Sequence, residues 1–209
     1  MAGERIIVST SYFPPIGYFS ALFKAREIFI DLEETYTKQT CRNHFNIYGP
    51  NGKQTFSIPV TKPGGNHTKT RDILISYALP WQRTHSRAIE AAYNNSPFFL
   101  YYKDYFIPFF DKEYEFLADY NSEILETIFR LLRISREVRL TETYVRNPEG
   151  MLDLRTELTS KQAKFNNPIY TQTFSERYGF LPNLSILDLL FNLGPETSEY
   201  LNMIPGILS

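Results

Sequence analysis

The N-terminal segment carries the pattern that most constrains the fold. Arg5 to Thr10 is apolar and β-branched at its centre and ends in polar residues, which is typical of a buried strand that leads into a loop. Pro14-Pro15 ends this strand and suits the start of a helix, and Ile16 to Ala25 carries apolar side chains at helical spacing. Glu27 to Ile30 predicts a second strand. A strand, a helix and a strand within about 30 residues predict a βαβ unit with parallel strands.

A parallel pair of strands also predicts where a ligand binds. In such sheets, ligands lie beyond the carboxyl ends of the strands. Here the two strands are followed by Ser9 to Pro15 and by Asp31 to Tyr36. We therefore expect binding residues in these two loops.

The rest of the chain predicts a hairpin and then mainly helices. His44 to Tyr48 and Gln54 to Val60 flank Asn51-Gly52, a strong signal for a tight β-turn. A polar loop and a short strand follow. Helical periodicity then predicts helices at Gln82 to Asn95, Glu113 to Arg133 and Ser185 to Asn192. Val138 to Thr141 has the character of a strand. We predict one α/β (mixed α+β) domain over residues 1–209, in which the βαβ unit and the hairpin form one mixed sheet covered by a mainly helical second half.

Composition narrows the class of protein. The 209 residues include 22 Lys plus Arg and 23 Asp plus Glu, and this balance argues against a nucleic-acid binder. The single cysteine, Cys41, excludes a disulfide framework, and no apolar run is long enough to span a bilayer. The sequence has no secretory leader and no nucleotide-binding or zinc motif, so we expect a cytoplasmic protein, predict no metal site and leave the cofactor open.

Lys38 and Arg42 form the first candidate site. They follow the second predicted strand, and Lys and Arg together can hold a phosphate or carboxylate. The alternative is a solvated loop whose cations pair with Glu33 and Glu34.

His85 and Asp188 are further candidates because each lies on the apolar face of a predicted helix. An inward imidazole suits a general base, and the alternative is a hydrogen-bonded core histidine. A buried carboxylate either pairs with a cation or has a raised pKa. Tyr12, Tyr18 and Tyr36 flank the predicted strand ends and could stack on a sugar or a base, although most aromatic side chains must belong to the core.

Several motifs occur in a fixed order over most of the chain: Tyr12-Phe13-Pro14-Pro15-Ile16-Gly17-Tyr18-Phe19, Tyr36-x-Lys38, Arg42-Asn43, Pro50-Asn51-Gly52, Ile58-Pro59-Val60, Trp81-x-x-x-His85, Tyr93-x-x-Ser96-Pro97-Phe98-Phe99, Asn121 and Leu184-Ser185-Ile186-Leu187-Asp188-Leu189-Leu190. This order resembles that of the WbqC-like family, most closely its Bacteroides-type branch. Val8-Ser9-Thr10-Ser11 departs from the His-Gln-Pro-Asn that commonly opens the family. If the histidine of that motif is catalytic in the family, either this branch has lost it or Ser9 to Ser11 bind the ligand differently.

The resemblance implies a role in bacterial surface-polysaccharide (O-antigen-like) assembly, with a group transferase acting on a sugar or nucleotide-sugar precursor as the expected activity. The matching motifs carry over Tyr12, Gly17, Tyr36, Lys38, Asn43 and His85. With the residues chosen above, we predict His85 and Lys38 as catalytic and a substrate-binding set of Tyr12, Gly17, Tyr36, Arg42, Asn43 and Asp188. The alternative function is a non-catalytic binding or scaffold protein of a glycan-assembly complex. Its partner surface would include the polar stretch from Arg136 to Lys164.

Overall fold

The structure, a computed structural model, describes residues 4–158 and 165–205. The strands are β1 (Arg5–Val8), β2 (Glu27–Ile30), β3 (His44–Gly49), β4 (Gly52–Ser57), β5 (Val60–Thr61), β6 (Leu74–Ile75), β7 (Glu137–Leu140) and β8 (Leu152–Asp153). The helices are α1 (Ile16–Lys24), α2 (Trp81–Tyr93), α3 (Phe99–Phe106), α4 (Pro108–Asp111), α5 (Leu117–Leu131), α6 (Ser175–Tyr178), α7 (Ile186–Leu193) and α8 (Thr197–Met203).

A parallel sheet with the strand order β7-β2-β1-β8 is the centre of the fold. β1 and β2 run parallel with Arg5 opposite Glu27, and α1 connects them, so the predicted βαβ unit is confirmed. The strand predicted near Val138 is β7, which pairs in parallel with β2. β8 pairs in parallel with β1 through two residues and was not predicted, because two residues are too few to show a strand pattern.

The hairpin differs from the prediction in its place. β3 and β4 pair antiparallel, and Gly52 takes φ 94° at the turn, as the Asn51-Gly52 signal requires. They form a separate two-stranded sheet instead of joining the parallel one. The neighbouring positions on both sides of the β1–β2 pair are taken by β8 and β7, and β3 packs against α2 and α7 instead. The mixed α/β class of the prediction is confirmed.

The second half is mainly helical, as expected. The predicted helix from Glu113 begins at Leu117, and α5 turns Leu117, Tyr120, Ile124 and Ile128 into the core. Ser185 caps α7, because its hydroxyl accepts a hydrogen bond from the Leu187 N–H.

α8 begins directly after the Gly194-Pro195 stop and was missed. The predicted stop does end α7, but the chain restarts as a helix within a few residues. The aromatic run from Phe98 to Phe110 forms α3 and α4, and its inward rings, Phe99, Phe106, Phe109 and Phe110, join the core.

Candidate functional site

The carboxyl ends of β1 and β2 lead into a buried ionic network. Asp31 follows β2, is fully buried, and its carboxylate accepts hydrogen bonds from the backbone N–H groups of Glu33 and Glu34. The Arg155 guanidinium donates to Asp31 and to Asp153, the last residue of β8. The hydroxyl of Thr141, just beyond β7, donates to Asp31 at 3.0 Å. Residues beyond three of the parallel strands are therefore tied together at one edge of the sheet.

Arg42 lies inside this edge and not in solvent. It is 3% exposed, and its guanidinium donates to the Glu34 carboxylate at 2.8 Å, to Thr40 Oγ1 at 3.0 Å and to Ser9 Oγ at 2.7 Å. Burial raises the pKa of Glu34, and the adjacent Arg42 charge opposes that rise. Protein groups thus already occupy three of the Arg42 nitrogens, and its predicted role in substrate binding stays a prediction.

Tyr36 and Asn43, which precede and follow Arg42 in the same segment, are buried as well. Asn43 donates from Nδ2 to the carbonyl of Ile58, the residue directly after β4, at 2.9 Å, and so ties the segment to the end of the hairpin. The Tyr36 hydroxyl is buried and has no hydrogen-bond partner in the part of the chain that the structure describes. Burial raises the pKa of Tyr36. An unpaired buried hydroxyl costs free energy, so Tyr36 is a group that a bound water or ligand would satisfy.

Lys38 stands apart from Arg42, on the surface. Gln39 takes φ 59° directly after it, and the resulting turn sends Lys38 outward and Arg42 inward. The Lys38 ammonium lies near Lys62, whose Nζ donates to Asn66 Oδ1 at 2.9 Å. Partial desolvation, followed by the positive charge of Lys38, lowers the pKa of Lys62. Two neighbouring ammonium groups attract an anion such as phosphate.

His85 is enclosed in aromatic side chains. It is 3% exposed, its Nδ1 lies 3.0 Å from the Tyr12 hydroxyl, and it packs against Phe45, Phe56 and Trp81. Burial lowers its pKa from 6.5 to about 4, although a hydrogen bond to the Ser57 backbone opposes the shift. The imidazole is therefore neutral at physiological pH. Tyr12 and His85 form one hydrogen-bonded pair in the core, and the catalytic role of His85 stays a prediction.

Asp188 and Gly17 lie in other parts of the core. The Asp188 carboxylate accepts hydrogen bonds from the Tyr93 hydroxyl, the Tyr170 hydroxyl and Gln172 Nε2. Burial raises its pKa, and these donors oppose the rise. The Gly17 N–H donates to Asn183 Oδ1 at 2.9 Å, and a Cβ at Gly17 would meet the Phe165 ring at 2.7 Å. These contacts are sufficient to account for both residues as part of the folded core. Their predicted roles in substrate binding stay predictions.

A cleft of about 600 Å³ opens beyond the carboxyl ends of β2 and β7. We call it the sheet-edge cleft. Its walls come from three parts of the chain: Leu32 and Glu33 after β2, Leu140, Thr141 and Glu142 at the end of β7, and Arg71, Asp72, Phe116, Ala118 and Asp119 from the segments before and at the start of α5.

Charge in the sheet-edge cleft is mostly negative. Glu33 is held at the wall by ion pairs with Lys69 at 2.7 Å and with Arg71 at 2.5 Å. The hydrogen bond from Lys69 lowers the pKa of Glu33 despite its burial. Asp119 and Glu142 have no ion-pair partner within residues 4–158 and 165–205. The cleft therefore presents carboxylate acceptors and one guanidinium to a ligand.

Sequence reasoning found one wall of this cleft and missed the others. The loop from Asp31 to Tyr36 was expected to bind a ligand, and its Leu32 and Glu33 do line the cleft. Arg71, Asp119 and Glu142 were not identified. The available signal was the strand predicted near Val138, because a third parallel strand would have placed Glu142 at the same edge.

The structure thus divides the predicted site residues into separate places. Arg42, Tyr36 and Asn43 are buried at the sheet edge, Tyr12 pairs with His85, and Lys38 lies on the surface. Gly17 and Asp188 lie in none of these three places. In the described residues, no three His, Cys, Asp or Glu side chains form a group that could hold a metal ion. None of the helices described is long and apolar enough to cross a membrane.

Comparisons with known proteins identify a family and one uncharacterised relative. A sequence model of the WbqC-like protein family matches residues 10–166. The chain is also 30% identical over 223 residues to the protein named "Uncharacterized protein Rv1507c" from Mycobacterium tuberculosis (strain ATCC 25618 / H37Rv), and the match covers 93% of this chain and 96% of that protein. No solved structure matches the chain.

Proposed function

Because this chain belongs to the WbqC-like protein family, we propose that it is a group transferase that acts on a sugar or nucleotide-sugar precursor of a bacterial surface polysaccharide. The observation that carries the proposal is the sheet-edge cleft. It lies where parallel sheets bind ligands, and its volume falls within the roughly 300–1,000 Å³ typical of small-molecule sites.

The lining of the cleft suits a sugar. Sugar hydroxyl groups donate hydrogen bonds to carboxylates and accept them from a guanidinium. Asp119 and Glu142 offer the carboxylates, and Arg71, held by Glu33, offers the guanidinium. Thr141 adds a hydroxyl that is itself fixed by Asp31.

Lys38 and Lys62 supply the place for the phosphate of an activated sugar. The segment from Lys62 to Lys69 connects them to the cleft, because Lys69 pairs with Glu33 in the cleft wall and bridges Thr35, three residues before Lys38. Two ammonium groups beside a phosphate leaving group stabilise the negative charge that it takes up as it leaves.

The proposed reaction is a displacement at the sugar carbon. An acceptor hydroxyl or amine attacks the sugar carbon, the bond from that carbon to the phosphate oxygen breaks, and the phosphate leaves as an anion beside Lys38 and Lys62. Glu142 or Asp119 takes the proton of the acceptor as general base. His85 touches no substrate in this proposal, and its hydrogen bond to Tyr12 helps to hold the loop after β1 in place.

The test is to titrate the protein with nucleotide sugars (UDP-glucose, UDP-N-acetylglucosamine and GDP-mannose) and to measure binding by isothermal calorimetry. We expect one of them to bind, and Lys38→Ala or Lys62→Ala to weaken that binding about tenfold, because each removes a charge from the phosphate. Glu142→Gln should lower turnover, because a neutral amide cannot take the proton of the acceptor. Lys53→Ala is the matched control, since Lys53 is an exposed lysine on the hairpin.

Two results contradict the proposal. If none of the three nucleotide sugars binds, the substrate class is wrong. If one binds and the Lys38→Ala and Lys53→Ala variants bind it equally well, the phosphate site is wrong.

A second candidate, a binding or scaffold protein of a glycan-assembly complex, is favoured by the exposure of β7. All four residues of this edge strand are exposed, with Leu140 at 53%, so its free side can pair with a strand of another protein. Residues 159–164 of the polar stretch predicted as a partner surface lie outside the described residues. A Val138→Pro variant that loses a partner from pull-downs in the native host, while nucleotide sugars fail to bind the unmodified protein, supports this candidate.

A further inference from the structure

We propose a second ligand site, a cleft at the C-terminal end of α5 that binds a small ring compound carrying a phosphate or carboxylate. We call it the tyrosine cleft. Its volume is about 550 Å³, and Tyr101, Tyr102, Tyr105 and Arg130 line it together with Phe98 and Pro195. A few polar groups among aromatic walls are typical of small-molecule sites of this size.

The base of the tyrosine cleft is fixed by a close approach of chain and ring. Gly194 takes φ 54°, and a Cβ there would meet the Phe98 ring at 2.5 Å. The absence of a side chain therefore lets the Phe98 ring lie directly against the backbone beside Pro195. The Phe98 N–H donates to the Phe191 carbonyl at 3.0 Å, which anchors the segment to α7. The Phe98 and Tyr101 ring centroids are 6.3 Å apart, so the two rings form one continuous wall.

The polar groups of the tyrosine cleft are available to a ligand. Buried tyrosines elsewhere use their hydroxyls within the fold, as Tyr93 and Tyr170 do at Asp188. Within the described residues, by contrast, the hydroxyls of Tyr101, Tyr102 and Tyr105 make no hydrogen bond, and the guanidinium of Arg130 makes no ion pair. Tyr101 and Tyr105 are 74% and 47% exposed, so their ring faces are accessible as well.

These groups define the chemical class of the ligand. Aromatic faces stack on flat or sugar rings, and Tyr hydroxyls bond to the ring substituents. Among the residues that the structure describes, Arg130 is the one charged side chain of the cleft lining. A guanidinium binds phosphate or carboxylate in a bidentate geometry. A nucleotide and an acidic sugar both combine a ring with such an anion.

The tyrosine cleft is distinct from the sheet-edge cleft. Asp119 of the sheet-edge cleft lies near the start of α5 and Arg130 near its end, about 16 Å apart at the rise of an α-helix. The α5 helix separates the two clefts, and the second site neither requires nor supports the proposed transferase activity.

Two pairs of probes test the site: UMP against uridine, and glucuronic acid against glucose. We expect the anionic member of one pair to bind at least tenfold more tightly than its neutral counterpart, and Arg130→Gln to abolish that difference. Tyr101→Ala should weaken binding about tenfold through the loss of stacking. Preference for UMP identifies a nucleotide site, and preference for glucuronic acid identifies an acidic-sugar site.

Matched variants separate the site from general effects. Arg87→Gln removes an exposed arginine of α2, and Leu100→Ala removes an exposed side chain of α3 that does not line the cleft, so both should bind as the unmodified protein does. Equal binding of anionic and neutral probes in both pairs overturns the proposal. So does a dimer in light scattering that Tyr101→Ala dissociates, because the tyrosines then form an interface between copies of the chain.

Discussion

At His85, burial and not a charged neighbour sets the protonation state. The ring lies among Phe45, Phe56 and Trp81, and its Nδ1 faces the Tyr12 hydroxyl. Desolvation lowers its pKa from 6.5 to about 4, so the folded protein keeps this histidine neutral where an unfolded chain would protonate it.

This difference predicts how stability depends on pH. Between pH 6.5 and 4 the unfolded chain binds a proton at His85 and the folded protein does not, so the contribution is complete above pH 6.5 and is lost as the pH falls toward 4. Over that range, the free energy of unfolding of the unmodified protein should fall by about 3 kcal/mol more than that of His85→Gln. Urea unfolding at several pH values measures it. The exposed His67→Gln serves as the control, and equal pH slopes for all three proteins would contradict the prediction.

Lys38 and Arg42 show, at the level of single residues, why a site is harder to predict than a fold. Their spacing and residue types suggest two cations that act together, and the structure separates them. Gln39 lies in the left-handed region and Thr40 Oγ1 donates to the Thr37 carbonyl, so the chain reverses between the two cations. No composition or periodicity signal marks such a turn at a glutamine, because residues other than Gly, Asn and Asp rarely take a positive φ.

Among the elements, α7 depends on a cap that also holds the loop after β1. The Ser185 hydroxyl accepts a hydrogen bond from Leu187 and donates one to the Phe13 carbonyl at 3.0 Å. Phe13 takes φ 40°, an uncommon conformation for a side chain of this size. One hydroxyl therefore starts a helix and stabilises the strained backbone of the loop.

We expect Ser185→Ala to lower the free energy of unfolding by about 1–2 kcal/mol, which is the usual cost of losing a helix cap. Thermal and urea unfolding measure the loss. Ser122→Ala is the control: Ser122 lies within α5, its hydroxyl bonds only to the carbonyl one turn earlier, and alanine favours a helix, so the change should stay within about 0.5 kcal/mol. Equal losses in both variants would show that the cap contributes nothing special.

The elements predicted from the sequence are those with local signals. The βαβ unit, the Asn51-Gly52 hairpin and α5 each have a pattern within a few consecutive residues, and all three are present. β8 was missed because its two residues become a strand only through pairing with β1. The walls of the sheet-edge cleft come from distant segments, so only the wall next to β2 could be predicted.

At the scale of the whole molecule, Arg155 ties the parallel sheet together. Its guanidinium bonds to Asp31 beyond β2 and to Asp153 in β8, on the far side of β1. Asp31 is fully buried, and Arg155 holds most of its own surface inside the fold.

Removal of this arginine leaves a buried carboxylate without its cation. Arg155→Met should therefore lower the free energy of unfolding by about 3–5 kcal/mol, and adding Asp31→Asn should recover part of the loss, because the unpaired charge is then gone. A double-mutant cycle by urea unfolding tests this. Arg139→Met, which breaks exposed ion pairs with Glu27 and Glu137, should cost less than about 1 kcal/mol. Additive effects of the two changes at the buried pair would contradict the coupling.

The short strand β8 is joined to the sheet by the ion pairs of Arg155 as well as by backbone hydrogen bonds. Two residue pairs give it a short ladder, and the backbone bond from the Leu154 N–H to the Ile7 carbonyl extends it by little. The Arg155 hydrogen bond lowers the pKa of Asp153. The Asp153 carboxylate therefore stays ionised and paired with Arg155 until the medium is strongly acidic, and the ion pair is lost when it is protonated. The edge strand β8 is therefore held by the ion pairs of Arg155 as well as by amide pairing, and acid weakens only the first of these.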